Sequence, residues 1–148
     1  MVRKKMINKK YILAVGLGAL LQGCIAKNLS DAEVMNKALS RCSSPEMAII
    51  RIPSRGPLAD TMMAQSVGTT HNDGGFFRQF VDLVSSGSKN IVVECPSQQK
   101  LEAIVIHALK GIKEAKLKGI TLCLIGLTES KELVSQAERT GVTLRIQN

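Results

Sequence analysis

Apolar residues along this chain form short continuous runs that are separated by stretches with helical spacing. Residues 47–52, 91–95, 120–126 and 142–146 are rich in Ile, Val and Leu, and each run predicts a β-strand. The run at 120–126 is almost entirely apolar, which is typical of a central strand covered on both faces. The alternation of apolar and polar residues at 142–146 indicates an edge strand.

Helices are predicted between these strands. Ser30 and Glu33 have the spacing of a capping box, which opens a helix to about residue 41. The apolar spacing predicts three more helices, which occupy 76–86, 98–118 and about 130–140. The segment 53–74 has no clean period, and only its part around 58–66 is predicted to be helical.

The order of these elements indicates the fold class. Strands that alternate with helices of about ten residues or more imply βαβ units, and right-handed crossovers make their pairing mostly parallel. Residues 31–148 are therefore predicted to form a small single α/β domain, with a mostly parallel four-stranded sheet and alternating helices. The alternative is an α+β sheet of the ferredoxin-like kind, with one antiparallel strand.

The N-terminus has the charge and apolar pattern of a secretory signal. Residues 1–10 hold five basic residues and no acidic one, residues 11–21 are apolar, and a small residue precedes Cys24. Eleven helical residues span about half of a ~30 Å hydrocarbon core. The pattern therefore predicts a cleavable signal peptide and not a membrane-spanning helix.

The end of this apolar run resembles the lipobox of bacterial lipoproteins. Leu21 stands at −3, Gly23 at −1 and Cys24 at +1 relative to the cleavage site, and Gln22 occupies a position where the family usually has a small residue. The resemblance implies cleavage between Gly23 and Cys24. It also implies that Cys24 receives diacylglycerol and an acyl chain such as palmitate.

The lipoprotein resemblance divides the chain into a signal peptide (1–23), a lipidated tether (24–30) and the α/β domain (31–148). The residue after the cysteine is Ile25. An Asp at this position would resemble an inner-membrane retention signal. In a Gram-negative cell Ile25 therefore implies lipid anchoring at the outer membrane, with the domain facing the periplasm. The resemblance covers about the first 25 residues, and the α/β domain resembles no specific family.

The net charge of +8 belongs mostly to the signal peptide. Five of the 20 basic residues lie there, so residues 24–148 have a net charge of +3. This small charge and the 3% of aromatic residues argue against a nucleic-acid partner. The chain has two His and no CxxC pair, so we expect no metal site, and no cofactor besides the acyl group on Cys24.

Two cysteines fall in predicted strands. An oxidising compartment permits a disulfide between Cys95 and Cys123 if their strands are neighbours. The alternative, which we favour, is that both are small buried apolar side chains.

Candidate ligand-binding residues lie beyond the carboxyl ends of the predicted strands, where parallel sheets bind ligands. Arg55 and the helix that begins after Ser97 are a candidate anion site. His71 and Asp73 are a candidate base and its orienting carboxylate. The alternative is that Ser97 is a helix cap and Arg55 a solvated side chain.

The nucleophile for such a base would be Ser54 or Ser66. Neither serine lies in a Gly-x-Ser-x-Gly elbow, so no catalytic residue is assigned. The absence of an activity motif favours a non-enzymatic structural or assembly component of the cell envelope. A secretion, conjugation or pilus system would be a typical host, with envelope proteins as partners. The alternative is a small periplasmic ligand-binding or hydrolase domain that uses the loop 54–75.

Overall fold

The computed structural model describes residues 28–42, 46–70, 73 and 75–148. The signal peptide, Cys24 and His71 therefore lie outside the described residues. The described helices and strands are, in chain order, α1 (Asp31–Cys42), β1 (Ala48–Arg51), α2 (Pro57–Thr70), α3 (Phe76–Ser85), β2 (Asn90–Glu94), α4 (Gln98–Lys110), β3 (Thr121–Ile125), α5 (Lys131–Thr140) and β4 (Thr143–Gln147).

The four strands form one parallel sheet in the order β1-β2-β3-β4. The predicted α/β domain with alternating helices is confirmed, and β4 lies at an edge as its alternating pattern indicated. The ferredoxin-like alternative is wrong, because every pairing among the described strands is parallel. Sequential parallel order with right-handed crossovers places all the connecting helices on one face of the sheet.

The sheet separates two apolar clusters. On one face, Ile91 and Leu122 pack in a large core with side chains of α2, α3, α4 and α5. On the other face, Val92 and Ile125 pack against α1, and no other described helix contributes to this cluster. The central strands β2 and β3 are apolar at nearly every position because both of their faces are buried.

The capping box at the start of α1 forms as the sequence predicts. The backbone N–H of Ser30 donates to Glu33 Oε2 at 2.7 Å, and the N–H of Glu33 donates to Ser30 Oγ at 3.3 Å, which completes the capping box of α1. Ser130 caps α5 by accepting a hydrogen bond from the N–H of Leu133. None of the helices in the described part of the chain combines the length and hydropathy that a membrane crossing requires.

Helix α2 is longer than the sequence predicted. It occupies Pro57–Thr70, although only residues around 58–66 were expected to be helical. Its apolar residues do not share one face: Val67 is buried, whereas Leu58 and Met62 are exposed. The helix is stabilised by packing against α4, which a search for one apolar face does not detect.

Helix α4 is shorter than predicted, because it ends at Lys110 and not at residue 118. Arg139 of α5 donates to the carbonyl oxygens of Leu109 at 2.5 Å and Ile112 at 2.8 Å. These bonds satisfy the Leu109 carbonyl in the last turn of α4 and the Ile112 carbonyl just beyond it. Ala115 then adopts a positive φ of 56°, which is incompatible with a continuing helix.

The turn after β3 requires glycine for two reasons. Gly126 has a φ of +89°, and a Cβ at this position would lie 2.9 Å from the carbonyl oxygen of Cys95. Gly87 has a similar φ of +94° with nothing within 4 Å of a Cβ. Gly87→Ala is therefore a matched control that tests backbone strain without the close approach.

We expect Gly87→Ala to lower the free energy of unfolding by about 1–2 kcal/mol through left-handed strain. Gly126→Ala should lower the free energy of unfolding by at least about 1 kcal/mol more, because the carbonyl group of Cys95 must also shift. Urea unfolding of both variants measures the difference. Equal losses would show that the approach of Cys95 to Gly126 is unimportant.

Candidate functional site

A groove of about 480 Å³ opens beside the carboxyl end of β1, where α2 and α3 bound it. Its apolar lining comes from the strand and from both helices, and comprises Ile50, Ile52, Ala59, Met62, Met63 and Phe76. The groove has the volume and mixed lining of small-molecule and peptide sites, which are typically ~300–1,000 Å³.

Among the described strands, none pairs with the outer edge of β1, the strand beside the groove. The N–H of Ile52 donates to the carbonyl oxygen of Glu94 at 2.8 Å, so Ile52 directs its backbone groups toward β2. Since backbone direction alternates in a parallel strand, Ile49 and Arg51 direct their N–H and C=O groups away from the sheet. An extended chain can bind to such an edge by strand addition.

A buried ion pair lies at the base of the groove. Lys100, in the first turn of α4, and Asp60 of α2 are each about 2% exposed. The Lys100 ammonium lies 3.0 Å from Asp60 Oδ1 and donates to the carbonyl oxygen of Pro53 at 2.6 Å. This pair joins the loop after β1 to two helices.

The loop after β1 surrounds the same carboxylate. Ser54 Oγ donates to Asp60 Oδ2 at 2.5 Å, and the N–H of Arg55 donates to Oδ1 at 3.1 Å. Burial opposes ionisation of Asp60, but these hydrogen bonds together with Lys100 outweigh it and hold the pKa of the carboxyl below its ordinary value. Asp60 is therefore an ionised structural centre of this loop.

The structure brings two of the predicted ligand-binding residues to the groove. Arg55 is exposed on its rim, and Asp73 also lines it. Both oxygens of Asp73 accept backbone hydrogen bonds, from the N–H of Gly75 and the N–H of Phe77, each at 2.9 Å. Asp73 therefore orders the start of α3, and these bonds occupy the carboxylate that was predicted to orient His71.

Of the other described candidates, Ser66 lines the same groove as Arg55 and Asp73, whereas Ser97 does not. Ser97 is the residue before α4 and lines none of the described cavities, and its side chain makes no capping bond. The Ser54 hydroxyl is bound to Asp60, whereas Ser66 lies on the groove wall. His71 lies outside the described residues, so the predicted base and nucleophile stay predictions.

The predicted pairing of Cys95 with Cys123 is wrong, because Cys123 forms a disulfide with Cys42 of α1. Although β2 and β3 are neighbours, Cys95 lies in the core beneath the α2–α5 layer, and Cys123 faces α1 on the opposite side of the sheet. Cys95 is a buried free cysteine, as the alternative predicted, and burial raises the pKa of its thiol to about 11. Cys123 is buried but oxidised.

A second polar cluster joins the start of α1 to the sheet. Arg51 of β1 forms an ion pair with Asp31 and donates to the carbonyl oxygen of Leu29. Its Nε lies 3.2 Å from Oε2 of the buried Glu94. Glu94 is therefore paired with Arg51 on the α1 face of the sheet.

Sequence reasoning did not identify Asp60 and Lys100. An Asp in the first turn of a helix is usually interpreted as a charge that stabilises the helix dipole. A Lys is usually interpreted as a solvated side chain. No local signal reveals their contact, since the residues are 40 positions apart. Among the described residues, no group of three or more His, Cys, Asp and Glu side chains is arranged to hold a metal ion.

The described residues form a four-stranded, all-parallel α/β domain in which α1 covers one face of the sheet and α2–α5 cover the other. Comparisons of the chain with protein-family models, with curated proteins and with solved structures found no match.

Proposed function

We propose that this chain is a lipid-anchored protein of the cell envelope whose α/β domain binds other envelope proteins and performs no catalysis. The observation that carries this proposal is the Cys42–Cys123 disulfide. Stable disulfides are rare in the cytosol and form in exported proteins, so the bond supports the export that the lipobox-like sequence at Cys24 implies.

The proposed location is the periplasmic face of the outer membrane. Ile25 after the lipidated cysteine favours transfer to that membrane. The tether of residues 24–30 reaches at most about 25 Å when extended, so the domain would stay close to the bilayer. A secretion, conjugation or pilus assembly remains the proposed kind of partner system.

The groove is the proposed partner surface. Leu58 and Met62 lie one helical turn apart on α2 and are 76% and 62% exposed, with Met62 on the groove wall. Exposed apolar side chains grouped beside a groove are typical of protein-binding surfaces, and methionine adapts to partners of different shape. The outer edge of β1, with which no described strand pairs, adds backbone hydrogen-bonding groups on the same side.

Binding of a small ligand is the second candidate function. The volume of the groove and the exposed Arg55 on its rim favour a small anionic molecule. A thermal-shift screen with small carboxylates separates the two functions. A ligand that raises the melting temperature, with loss of the effect in Arg55→Gln, would favour this candidate.

Substitution of Cys24 tests the lipid anchor. We expect the wild-type chain to begin at an acylated Cys24 and to float with outer membranes. Cys24→Ser should accumulate as an unprocessed precursor, because the serine hydroxyl does not replace the thiol in lipid transfer. Membrane fractionation with mass analysis of the N-terminus measures both. A wild-type chain that is soluble and retains residues 1–23 would overturn the proposal.

Substitution of Met62 tests the partner surface. Crosslinking in cells should capture an envelope protein with wild type, and Met62→Glu should reduce the yield at least about tenfold by placing a charge in an apolar contact. Gln65→Glu, also exposed on α2 but absent from the groove, is the matched control. Equal capture by both variants would contradict binding through the groove.

A further inference from the structure

Helix α1 has apolar side chains beyond those that the sheet buries. Val34, Ala38 and Cys42, spaced four residues apart, pack on the sheet. Met35 and Leu39 are also one turn apart, but they are 41% and 49% exposed. Met35 and Leu39 therefore lie on the flank of the buried side of the helix.

The exposed flank of α1 faces the strand that the helix covers least. Helix α1 lies over β2, β3 and β4. Its Asp31 is bound to Arg51 of β1, and the hydroxyl of its Ser40 is bound to Gln147 of β4. At 100° per residue, Met35 and Leu39 lie on the Asp31 side of the helix, toward β1.

Three more apolar residues lie on this side. Met47 and Ile49 belong to the α1 face of the sheet at β1, and both are only partly buried, as is Leu29 before α1. We name the surface formed by Leu29, Met35, Leu39, Met47 and Ile49 the apolar shelf. Among the described residues, β1 is only partly covered on this face, since Met47 and Ile49 keep part of their surface exposed.

We propose that the apolar shelf lies against the bilayer surface that holds the acyl chains of Cys24. The position of the shelf in the chain identifies this occupant. Leu29 is fixed by the hydrogen bond from Arg51 to its carbonyl oxygen, and it lies only five positions after Cys24. That length spans at most about 18 Å, so the lipid enters the membrane beside the shelf. The inference rests on the proposed function.

The chemistry of the shelf suits the membrane interface. Apolar side chains beside a lipid anchor insert into the boundary between headgroups and acyl chains, and each adds to the attachment. With the shelf on the membrane, the opposite face of the sheet and the helices α2–α5 point away from the membrane. The groove beside Met62 would then face the periplasm, where a partner can reach it.

Single-tryptophan variants test the inference, because the chain has no Trp. Leu39→Trp places the probe on the shelf. Phe77→Trp places it on α3 in the opposite helical layer, at a residue that is 37% exposed. Both full-length proteins, purified from membranes, are reconstituted into vesicles of phosphatidylethanolamine and phosphatidylglycerol with brominated acyl chains. Circular dichroism confirms that each variant is folded.

We expect the bromolipids to quench Leu39→Trp at least about twofold more strongly than Phe77→Trp, because only the shelf enters the interface. Equal quenching of the two folded variants would overturn the inference. Vesicle flotation separately measures the anchor, so weak quenching of a floating protein contradicts the shelf and leaves the proposed function standing.

Failure of the anchor has a different signature. If Cys24 carries no acyl chain, the proposed function fails. The inference is then tested by mixing the unacylated proteins with the same vesicles. Quenching of Leu39→Trp alone would then still support a membrane-binding shelf. Absence of quenching in both variants would overturn it.

Discussion

Replacement of Lys100 by Met should lower the free energy of unfolding by about 3–5 kcal/mol, because it leaves the buried carboxylate of Asp60 without its cation. Both side chains are about 2% exposed, and the ammonium lies 3.0 Å from the carboxylate. Methionine preserves most of the length of the side chain, so the loss reports on charge more than on packing. Urea unfolding of the full chain measures it.

An exposed ion pair of the same chain provides the control. Lys110 lies 2.6 Å from Glu132, but their side chains are 53% and 56% exposed. Lys110→Met should cost less than about 1 kcal/mol, since water already solvates both charges. Equal losses at positions 100 and 110 would contradict the structural role of the buried pair.

The stability of the folded chain at acidic pH should also depend on the interaction between Asp60 and Lys100. The pKa of Asp60 is lower in the folded chain than its ordinary value of 3.8, so the unfolded chain binds the proton more readily. The stability that Asp60 contributes is therefore complete above the ordinary value and is lost as pH falls through the folded pKa. Below about pH 4 the wild type should lose stability more steeply than Asp60→Asn. Parallel pH profiles of the two proteins would refute this.

Removal of the Cys42–Cys123 disulfide should lower the free energy of unfolding by about 2–4 kcal/mol. The bond joins residues 81 positions apart, so the unfolded chain gains much conformational freedom without it. The test is Cys42→Ala/Cys123→Ala under oxidising conditions, compared with wild type with and without reductant. Hydrogen exchange should be fastest in α1, which loses its covalent tie to β3.

The buried thiol of Cys95 provides the matched control. Cys95→Ala retains the disulfide and should cost only about 1 kcal/mol through lost packing. Burial raises the pKa of this thiol to about 11, so alkylation at pH 8 should require unfolding. Alkylation without reductant should never reach Cys42 or Cys123. A mapped link between Cys95 and Cys123 would refute the assignment.

The elements that form by local rules could be predicted from the sequence. The capping box at Ser30, the start of α5 near residue 130 and the apolar run of β3 each depend on residues within one or two turns. The end of α4 could not be predicted, because Arg139 of another helix satisfies carbonyls in its last turn and just beyond it. Helix α2 was incompletely predicted because its apolar residues do not share one face. It is stabilised by its contacts with α4.

The candidate site divides in the same way. Arg55 and Asp73 were recognised because polar residues beyond parallel strands tend to meet at one edge. Asp60 and Lys100 were missed because a buried lysine cannot be distinguished from a solvated one in the sequence. The order and parallel pairing of the strands follow from βαβ rules. The residues that line the groove depend on where α2 and α3 pack.

The sequence by itself determined the α/β class, the parallel sheet with β4 at its edge, and the lipoprotein-like start, because each is encoded in neighbouring residues. Only the tertiary structure decided that Cys123 bonds Cys42, since the face of the sheet on which a side chain lies selects its partner. It also decided which apolar residues of α1 stay exposed. Both outcomes depend on contacts between residues far apart in the chain, and these contacts exist only after the helices pack on the sheet.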